Sequence, residues 1–565
     1  MSFPSDLEIA RATSLKPIED IANQMGLESD LLEWHGEHVL KVKLDAIERL
    51  ADRPRAKYVV VSAITPTPLG EGKTTTTVGI GQGFGYLGRK ATVAVRQPSM
   101  GPTLGIKGGA AGGGYSQIVP MDVLNLHLTG DMHAVTAAHN LLSAVVDDHL
   151  FRGNALGLDV HNITWRRVLD VNDRALRNVV VGLGGRGDGV PRQTGFDITA
   201  ASEVMAALAL ARDLQDLRQR IGRVVVGYTG DGEPVTAEQL GAAGAMTVLL
   251  REAIKPNVLQ TLEHTPVLVH TGPFGNIATG NSSIVADRIG LRCGEFLITE
   301  AGFGADMGAE RFFNLKCRIS GEAPDAAVIV ATVRALKAHS GKHRIVAGKP
   351  LPEALLAESP DEVHAGADNL RKQIANIRLH GVSPVVAVNA FPTDHPSEHA
   401  AIREIAEAAG ARVAVSTHFT DGGAGAAELV EAIAEAADEP SEFQLLYPDE
   451  ATLREKIETV ATKVYGAADV EYSAQANRSL DTYERAGFGD LPVCIAKTHL
   501  SITSDPKATG APTGWTLPVR EVRASVGAGF VYPICGDMRT MPGLGSNPAL
   551  RHVDIDDNGD IVGLS

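Results

Sequence analysis

The chain has few cysteines for its length: four in 565 residues, at positions 293, 317, 494 and 535, and no CxxC pair. That excludes a disulfide framework and a zinc ribbon, and it suits a reducing, cytoplasmic setting. No apolar run approaches the roughly 20 residues that a bilayer-spanning helix needs. The opening residues carry acidic side chains and no apolar core, so they do not read as a secretory signal. Excess positive charge is missing too. Lys and Arg number 52 against 68 Asp and Glu, a formal net charge of −16. A nucleic-acid partner wants a basic face, so that class is disfavoured. A small anionic substrate is not, provided basic residues gather locally. HExxH is absent, and no second His/Cys group at ligand spacing accompanies His127, Asp131 and His133. The stretch 127–133 is therefore not read as a metal centre. Internal repeats and low-complexity tails are also lacking.

What is present is length enough for two to four domains. Apolar residues make up 44% and charged residues 21%, a balance that builds sizeable cores. After ~50 residues with helical spacing comes a β-branched run, YVVVSAI at 58–64. Similar runs recur at 91–95, 179–181, 223–226, 266–270, 327–330, 382–388 and 411–415, with Ala/Leu/Glu-rich stretches such as 203–217 and 402–409 between several. Continuous apolar strands alternating with helices predict an α/β fold whose parallel sheet is covered on both faces. Residues 156–265 break the rhythm with Gly-rich and turn-like patches. The stretch from 451 onward begins as a helix and ends in short apolar runs at 515–522 and 530–534. The expected division is a large parallel-sheet, P-loop nucleotide-binding domain (1–150 and 266–450), an inserted α+β domain (151–265) and a C-terminal α+β domain (451–565), set around a cleft.

The sharpest local signal is Thr67, Pro68, Leu69, Gly70, Glu71, Gly72, Lys73 and Thr74, between an apolar strand and a helix-like run. Small residues there let backbone N–H groups turn toward phosphate oxygens, and the helix N-terminus adds positive charge. Lys73 would reach the β- and γ-phosphates, and the Thr74 hydroxyl would ligate Mg²⁺. Thr67 stands where the consensus has its first glycine. A GxGxxG string at 83–88 is a decoy. It falls at the end of the helix that the P-loop opens, where Gly88 makes a natural cap, not between a strand and a helix start. Arg96 follows run 91–95, expected beside the P-loop strand, at the edge where open α/β sheets bind ligands. Its guanidinium suits a carboxylate or an acyl phosphate; capping of carbonyls is the alternative. The small-residue run 108–114 would let backbone approach a planar ligand. Asp131 reads as a proton acceptor or as a partner of Arg96 or Lys73. His127, His133 and His139 read as hydrogen-bonded structural residues.

Seven strings in order resemble the formate–tetrahydrofolate ligase family over nearly the whole chain: TPTPLGEGKTTTT, RQPSMGPTLGIKGGAAGGGYSQIVPM, NLHLTGDMHAV, HTGPFGNIATGNSS, TEAGFGADMGAERFFNLKCR, NIRLHGVSPVVAVNAFPTD and REVRASVGAGFVYPICGDMRTMPGLGSNP. The resemblance implies a role in one-carbon metabolism. Formate attacks the γ-phosphate of MgATP to give formyl phosphate. N10 of tetrahydrofolate then takes the formyl group, leaving 10-formyltetrahydrofolate, ADP and phosphate. It also implies residue roles: 67–74 on the nucleotide, Arg96 on formate and then formyl phosphate, Asp131 near the reacting amine. Phe303 would stack on the folate, with Phe391 and Phe419 as further aromatic walls. Mg²⁺ with ATP, an activating K⁺ or NH₄⁺ and a homotetramer come from the resemblance alone. The chain departs from the family pattern in reading Gln97 for a glutamate, Phe419 for a tryptophan, Asp421 for a lysine and Ala390 for an arginine. Three alternatives stand beside this reading. They are a P-loop switch or regulatory ATPase, an ATP-dependent ligase for another carboxylate or amine, and a nicotinamide dehydrogenase supported only by the misplaced GxGxxG.

Overall fold

The structure is a computed structural model that describes residues 3–105, 110–346 and 350–564. Its centre is a large sheet. The strands used below are β1 (Leu32–Trp34), β2 (Leu40–Val42), β3 (Lys57–Ala63), β4 (Ala91–Val95), β5 (Asn257–Thr261), β6 (Pro266–Val269), β7 (Phe296–Glu300), β8 (Ala326–Ala331), β9 (Ser383–Asn389) and β10 (Arg412–Ser416). They lie side by side in the order β1-β2-β5-β6-β4-β7-β3-β8-β9-β10. From β6 to β10 every neighbouring pair is parallel. The β1–β2, β2–β5 and β5–β6 pairs are antiparallel.

The β-branched run at 57–63 shows why this sheet is buried twice over. Tyr58 and Val60 join one apolar cluster, whereas Val59, Val61 and Ala63 join another. Successive side chains of a strand point to opposite faces, so the two clusters are its two sides. Helices Ile284–Gly290 and Ala367–Leu379 cover the first through Ile284, Val285, Leu370 and Ile374. Ile80 and Phe84 of helix α1 (Lys73–Tyr86), with Leu429, Val430 and Ile433 of helix Ala427–Asp438, cover the second.

Three expectations are corrected here. The first ~50 residues hold not only helices but also β1 and β2, which extend the central sheet. The runs at 179–181 and 223–226 do not enter the parallel sheet. Val179–Val181 pairs antiparallel with Arg192–Thr194, and Val225–Thr229 with Pro234–Thr236. Third, β4 does not adjoin β3, the strand expected to lead into the P-loop, because β7 lies between them and pairs with both. The crossover from β3 to β4 skips one place, which a strand two hundred residues later fills. Among the named strands, β5 falls within 151–265 yet hydrogen-bonds in the central sheet.

Toward the C-terminus, strands Asp469–Tyr472 and Thr516–Val519 pair in parallel, and Glu521–Ser525 forms a hairpin with Phe530–Ile534. Tyr447, Leu453, Ile457, Leu517, Val522 and Val531 make a separate apolar cluster there. All four cysteines are buried and free. Among the described residues, no helix is long and apolar enough to cross a membrane.

Candidate active site

A parallel sheet delivers all its strand C-termini to one edge, and that edge gathers most of the candidate residues. The chain leaves β3 at Ala63, turns through 64–72 and enters α1 at Lys73. Gly70 and Gly72 take left-handed φ values of 79° and 74°. A Cβ at Gly72 would sit 2.6 Å from Asn389 Nδ2, at the end of β9. Position 72 therefore needs glycine for space as well as for φ. Asn389 Nδ2 in turn donates to the Glu71 carbonyl at 3.1 Å. The helical ladder starts with Thr76 N bonding to Gly72 O at 2.9 Å. The amides before it lie outside the ladder and carry the positive end of the helix dipole to the sheet edge.

Within this loop Glu71 faces inward. It is fully buried. Its Oε1 accepts from Thr67 N at 2.8 Å, and its Oε2 accepts from the Thr332 hydroxyl beyond β8. It braces the loop from beneath. Arg334 Nη2 donates to Gly70 O at 3.3 Å. Lys73 and Thr74 are half-buried at the mouth. Behind them, His418 Nε2 lies 3.3 Å from the Thr76 hydroxyl and His418 Nδ1 lies 2.8 Å from Ser416 Oγ. Burial pushes the His418 imidazole down to about 4, so it is a neutral brace at physiological pH.

The residue that ties the edge together is Glu300, the last residue of β7, which the sequence reading passed over. Its Oε2 accepts from the Thr74 hydroxyl at 2.7 Å. Its Oε1 accepts from Arg96 Nε and Nη2, both at 3.4 Å. Glu300 is almost wholly buried, at 4% side-chain exposure, whereas Arg96 keeps 28%. Arg96 Nη1 also donates to Pro273 O at 3.4 Å. Those are three of the five N–H donors of a guanidinium, leaving two toward solvent or a ligand. The signal for Glu300 was in the sequence: the short run FLIT between Gly294 and Gly302 ends on a carboxylate. A strand end in a parallel sheet is where such a group acts.

The other candidates separate into distinct neighbourhoods. Asp131 opens helix α2 (Asp131–Phe151) and is buried. It accepts from Lys41 Nζ at 2.9 and 3.0 Å and from Asn257 Nδ2 at 2.9 Å. The arginine thus pairs with Glu300 and the aspartate with Lys41, so of the alternatives offered for Asp131 the Arg96 partnership is not the one the structure shows. A fully buried ammonium demands a carboxylate, and β2 supplies Lys41 beside β5. Burial lowers the Lys41 pKa, opposed by the charge of Asp131.

Phe303 lies three residues past Glu300, with φ at 64°. Its ring stacks on His499 at a centroid distance of 4.5 Å. Phe391 follows β9, with the Arg334 guanidinium 3.9 Å from its ring centroid. Since β3 and β8 separate β7 from β9, the Phe303 and Phe391 strand ends are roughly 14 Å apart. Phe419, on the short helix His418–Asp421, stacks on Phe3 at 5.4 Å. Two of the glycines expected to approach a planar ligand, Gly113 and Gly114, pack on Phe419. A Cβ at Gly114 would meet its carbonyl oxygen at 2.2 Å; residues 108 and 109 of that run lie outside the described residues. The three aromatics therefore do not form one cage.

Among the described residues no three His, Cys, Asp or Glu side chains cluster as a metal site. The hard-oxygen donors at the loop mouth are the Thr74 hydroxyl and Glu300. A family model described as formate–tetrahydrofolate ligase matches residues 4–565. The chain is 73% identical over 565 residues to a protein of Saccharopolyspora erythraea named formate–tetrahydrofolate ligase, covering all of both. It is 66% identical over 570 residues to formate–tetrahydrofolate ligase 1 of Rubrobacter xylanophilus, covering 99% of each. It is also 61% identical over 560 residues to a like-named protein of Cutibacterium acnes, covering 99% of this chain and 100% of that one.

Proposed function

The chain belongs to the formate–tetrahydrofolate ligase family, and from that premise we propose that it phosphorylates formate with ATP at the edge of the central sheet and passes the formyl group to N10 of tetrahydrofolate. The observation that carries this reading is the Glu300 carboxylate shared between Thr74 of the phosphate loop and Arg96. A phosphate held by the loop and a carboxylate held by the arginine would then be neighbours, as a phosphoryl transfer between them requires.

The loop amides and Lys73 hold the β- and γ-phosphates, and Arg96 holds formate in line with the γ-phosphorus. Thr74 and Glu300 fit a magnesium ion that comes with the nucleotide and takes its remaining ligands from phosphates and water. That ion would neutralise charge on the transferring group. One formate oxygen forms the new bond to phosphorus, and the bond to the β,γ-bridging oxygen breaks to release ADP. Formyl phosphate now carries a good leaving group where formate had none. Arg96 stays on the same oxygens and stabilises them as phosphate departs when N10 attacks the formyl carbon. Phe303, on the Arg96 side of the loop, suits a wall for the folate. Asp131 is proposed to act on the amine proton through its end of the sheet, held by Lys41.

The test is ADP release from MgATP with formate and tetrahydrofolate omitted in turn. Turnover that needs both, with 10-formyltetrahydrofolate formed in step with ADP, supports the reading. Hydrolysis that ignores both would make the chain a P-loop ATPase on this scaffold.

A further inference from the structure

Phe303 is held in a way that its own neighbours in sequence do not explain. A bulky residue at φ 64° is uncommon, and the strain persists only where surrounding structure imposes it. Along the ring's Cδ2–Cε2 edge stands Gly275, whose added Cβ would come 3.0 Å from Phe303 Cε2. One face is stacked by the imidazole of His499, 4.5 Å away and inclined by 23°. His499 comes from the C-terminal part of the chain, 196 positions along the sequence.

Both of these neighbours are anchored by buried groups. Arg311 is nearly inaccessible; it donates to Gly275 O, to Ala278 O at 3.0 Å and to Ile495 O at 2.5 Å. One guanidinium thus ties the Gly275 loop to the strand of chain that leads to His499. Two residues before His499, Lys497 is fully buried and donates to Asp306 Oδ2 at 2.7 Å and to Ser501 O at 2.6 Å. Asp306 Oδ1 accepts from Gln373 Nε2 at 2.9 Å, which also donates to the Thr65 hydroxyl at the foot of the phosphate loop. Asp306 lies in a π-helical turn, Ala305–Ala309, directly after Phe303, and such turns are frequent at functional sites. A Cβ at Gly302 would lie 3.8 Å from Arg96 Nη1, so the backbone that leads into Phe303 passes the formate end of the proposed site.

We propose that His499 is a positioning residue for the folate subsite: stacked on Phe303 and anchored through Lys497 and Arg311, it fixes the ring against which the tetrahydrofolate acceptor packs. This rests on the ligase reading. It adds that the C-terminal part of the chain contributes to acceptor binding through an aromatic stack. A stack of this kind is worth about a three- to ten-fold effect on binding.

The test uses the full-length enzyme and steady-state kinetics with each of the three substrates varied. The wild type is measured first; if its ATP turnover ignores tetrahydrofolate, the ligase reading fails, not this inference. Given a tetrahydrofolate-dependent wild type, His499→Ala is expected to raise the KM for tetrahydrofolate about three- to ten-fold, with the KM values for ATP and formate and kcat within two-fold. His499→Phe, which keeps a flat ring, is expected to restore it. In a Phe303→Ala background, His499→Ala is expected to add nothing, because its effect runs through that ring. An unchanged KM in His499→Ala overturns the proposal. So does a joint loss in all three substrates, a His499→Phe variant no better than the alanine, or additivity with Phe303→Ala.

Discussion

Arg96 and Thr74 owe their placement to one carboxylate, and this shapes what single substitutions should do. On the proposed reading, Arg96→Ala removes a charge-assisted contact to formate worth about 1.5–3 kcal/mol. We expect kcat/KM for formate to drop about 10- to 150-fold with the KM for ATP little changed. Glu300→Gln should act differently, because it loosens the arginine and the Thr74 hydroxyl together. kcat/KM should fall for ATP and formate alike; a loss confined to formate would show that Glu300 serves Arg96 alone. Arg96 was legible in the sequence because it ends a strong β-branched run. Glu300 was passed over although its run ends on a carboxylate, because its place between β3 and β4 follows from chain topology, not from local pattern. The partner of Asp131 was hidden for a related reason: Lys41 lies ninety residues earlier, on a strand of three residues.

A buried carboxyl outside the site gives a pH test. Burial raises Glu310 to about 7 from an ordinary value of 4.5. Asn314 donates to its Oε1 at 2.9 Å, and its Oε2 is buried without a hydrogen-bond partner. A carboxyl whose folded pKa lies above its unfolded value contributes stability that is present below about 4.5 and lost as pH rises through about 7. Glu310→Gln removes that loss. Its Tm relative to wild type should therefore be more favourable at pH 8 than at pH 5.5. An offset that is flat across this range would contradict the raised pKa.

At the scale of elements, the proposed phosphate loop sits where a strand buried on both faces ends and a helix begins, and two glycines turn the corner. These glycines differ. Nothing lies within 4 Å of a Cβ added at Gly70, whereas one at Gly72 meets the Asn389 amide. Gly70→Ala should cost only left-handed backbone strain, about 1–2 kcal/mol. Gly72→Ala adds a clash that displaces the loop from Asn389, and should weaken ATP binding at least ten-fold while leaving the far-UV spectrum intact. Equal ATP affinities in the two variants, by titration calorimetry, would count against this geometry. The parallel strands that were read from β-branched runs, β3, β4, β6, β8, β9 and β10, lie within a residue or two of their expected ends. Their continuous apolar pattern reflects burial on both faces. The runs at 179–181 and 223–226 carry the same residue types in antiparallel pairs outside that sheet, and composition alone does not distinguish the two settings.

For the whole molecule, one sheet edge brings together groups from segments hundreds of residues apart: the loop after β3, Arg96 after β4, Glu300 and Phe303 at the end of β7, and Phe391 after β9. Against a net charge of −16, the proposed site draws on two cations, Lys73 and Arg96, as small anionic substrates would require. The central claim is that formate itself is phosphorylated there, and oxygen-18 in formate tests it most directly. During turnover with ATP and tetrahydrofolate, one labelled oxygen from each formate consumed should appear in inorganic phosphate, because the C–O bond of formyl phosphate breaks when N10 attacks. Phosphate that carries no label from formate, and takes its new oxygen from water instead, would contradict the phosphorylation of formate and with it the joint use of the loop and Arg96.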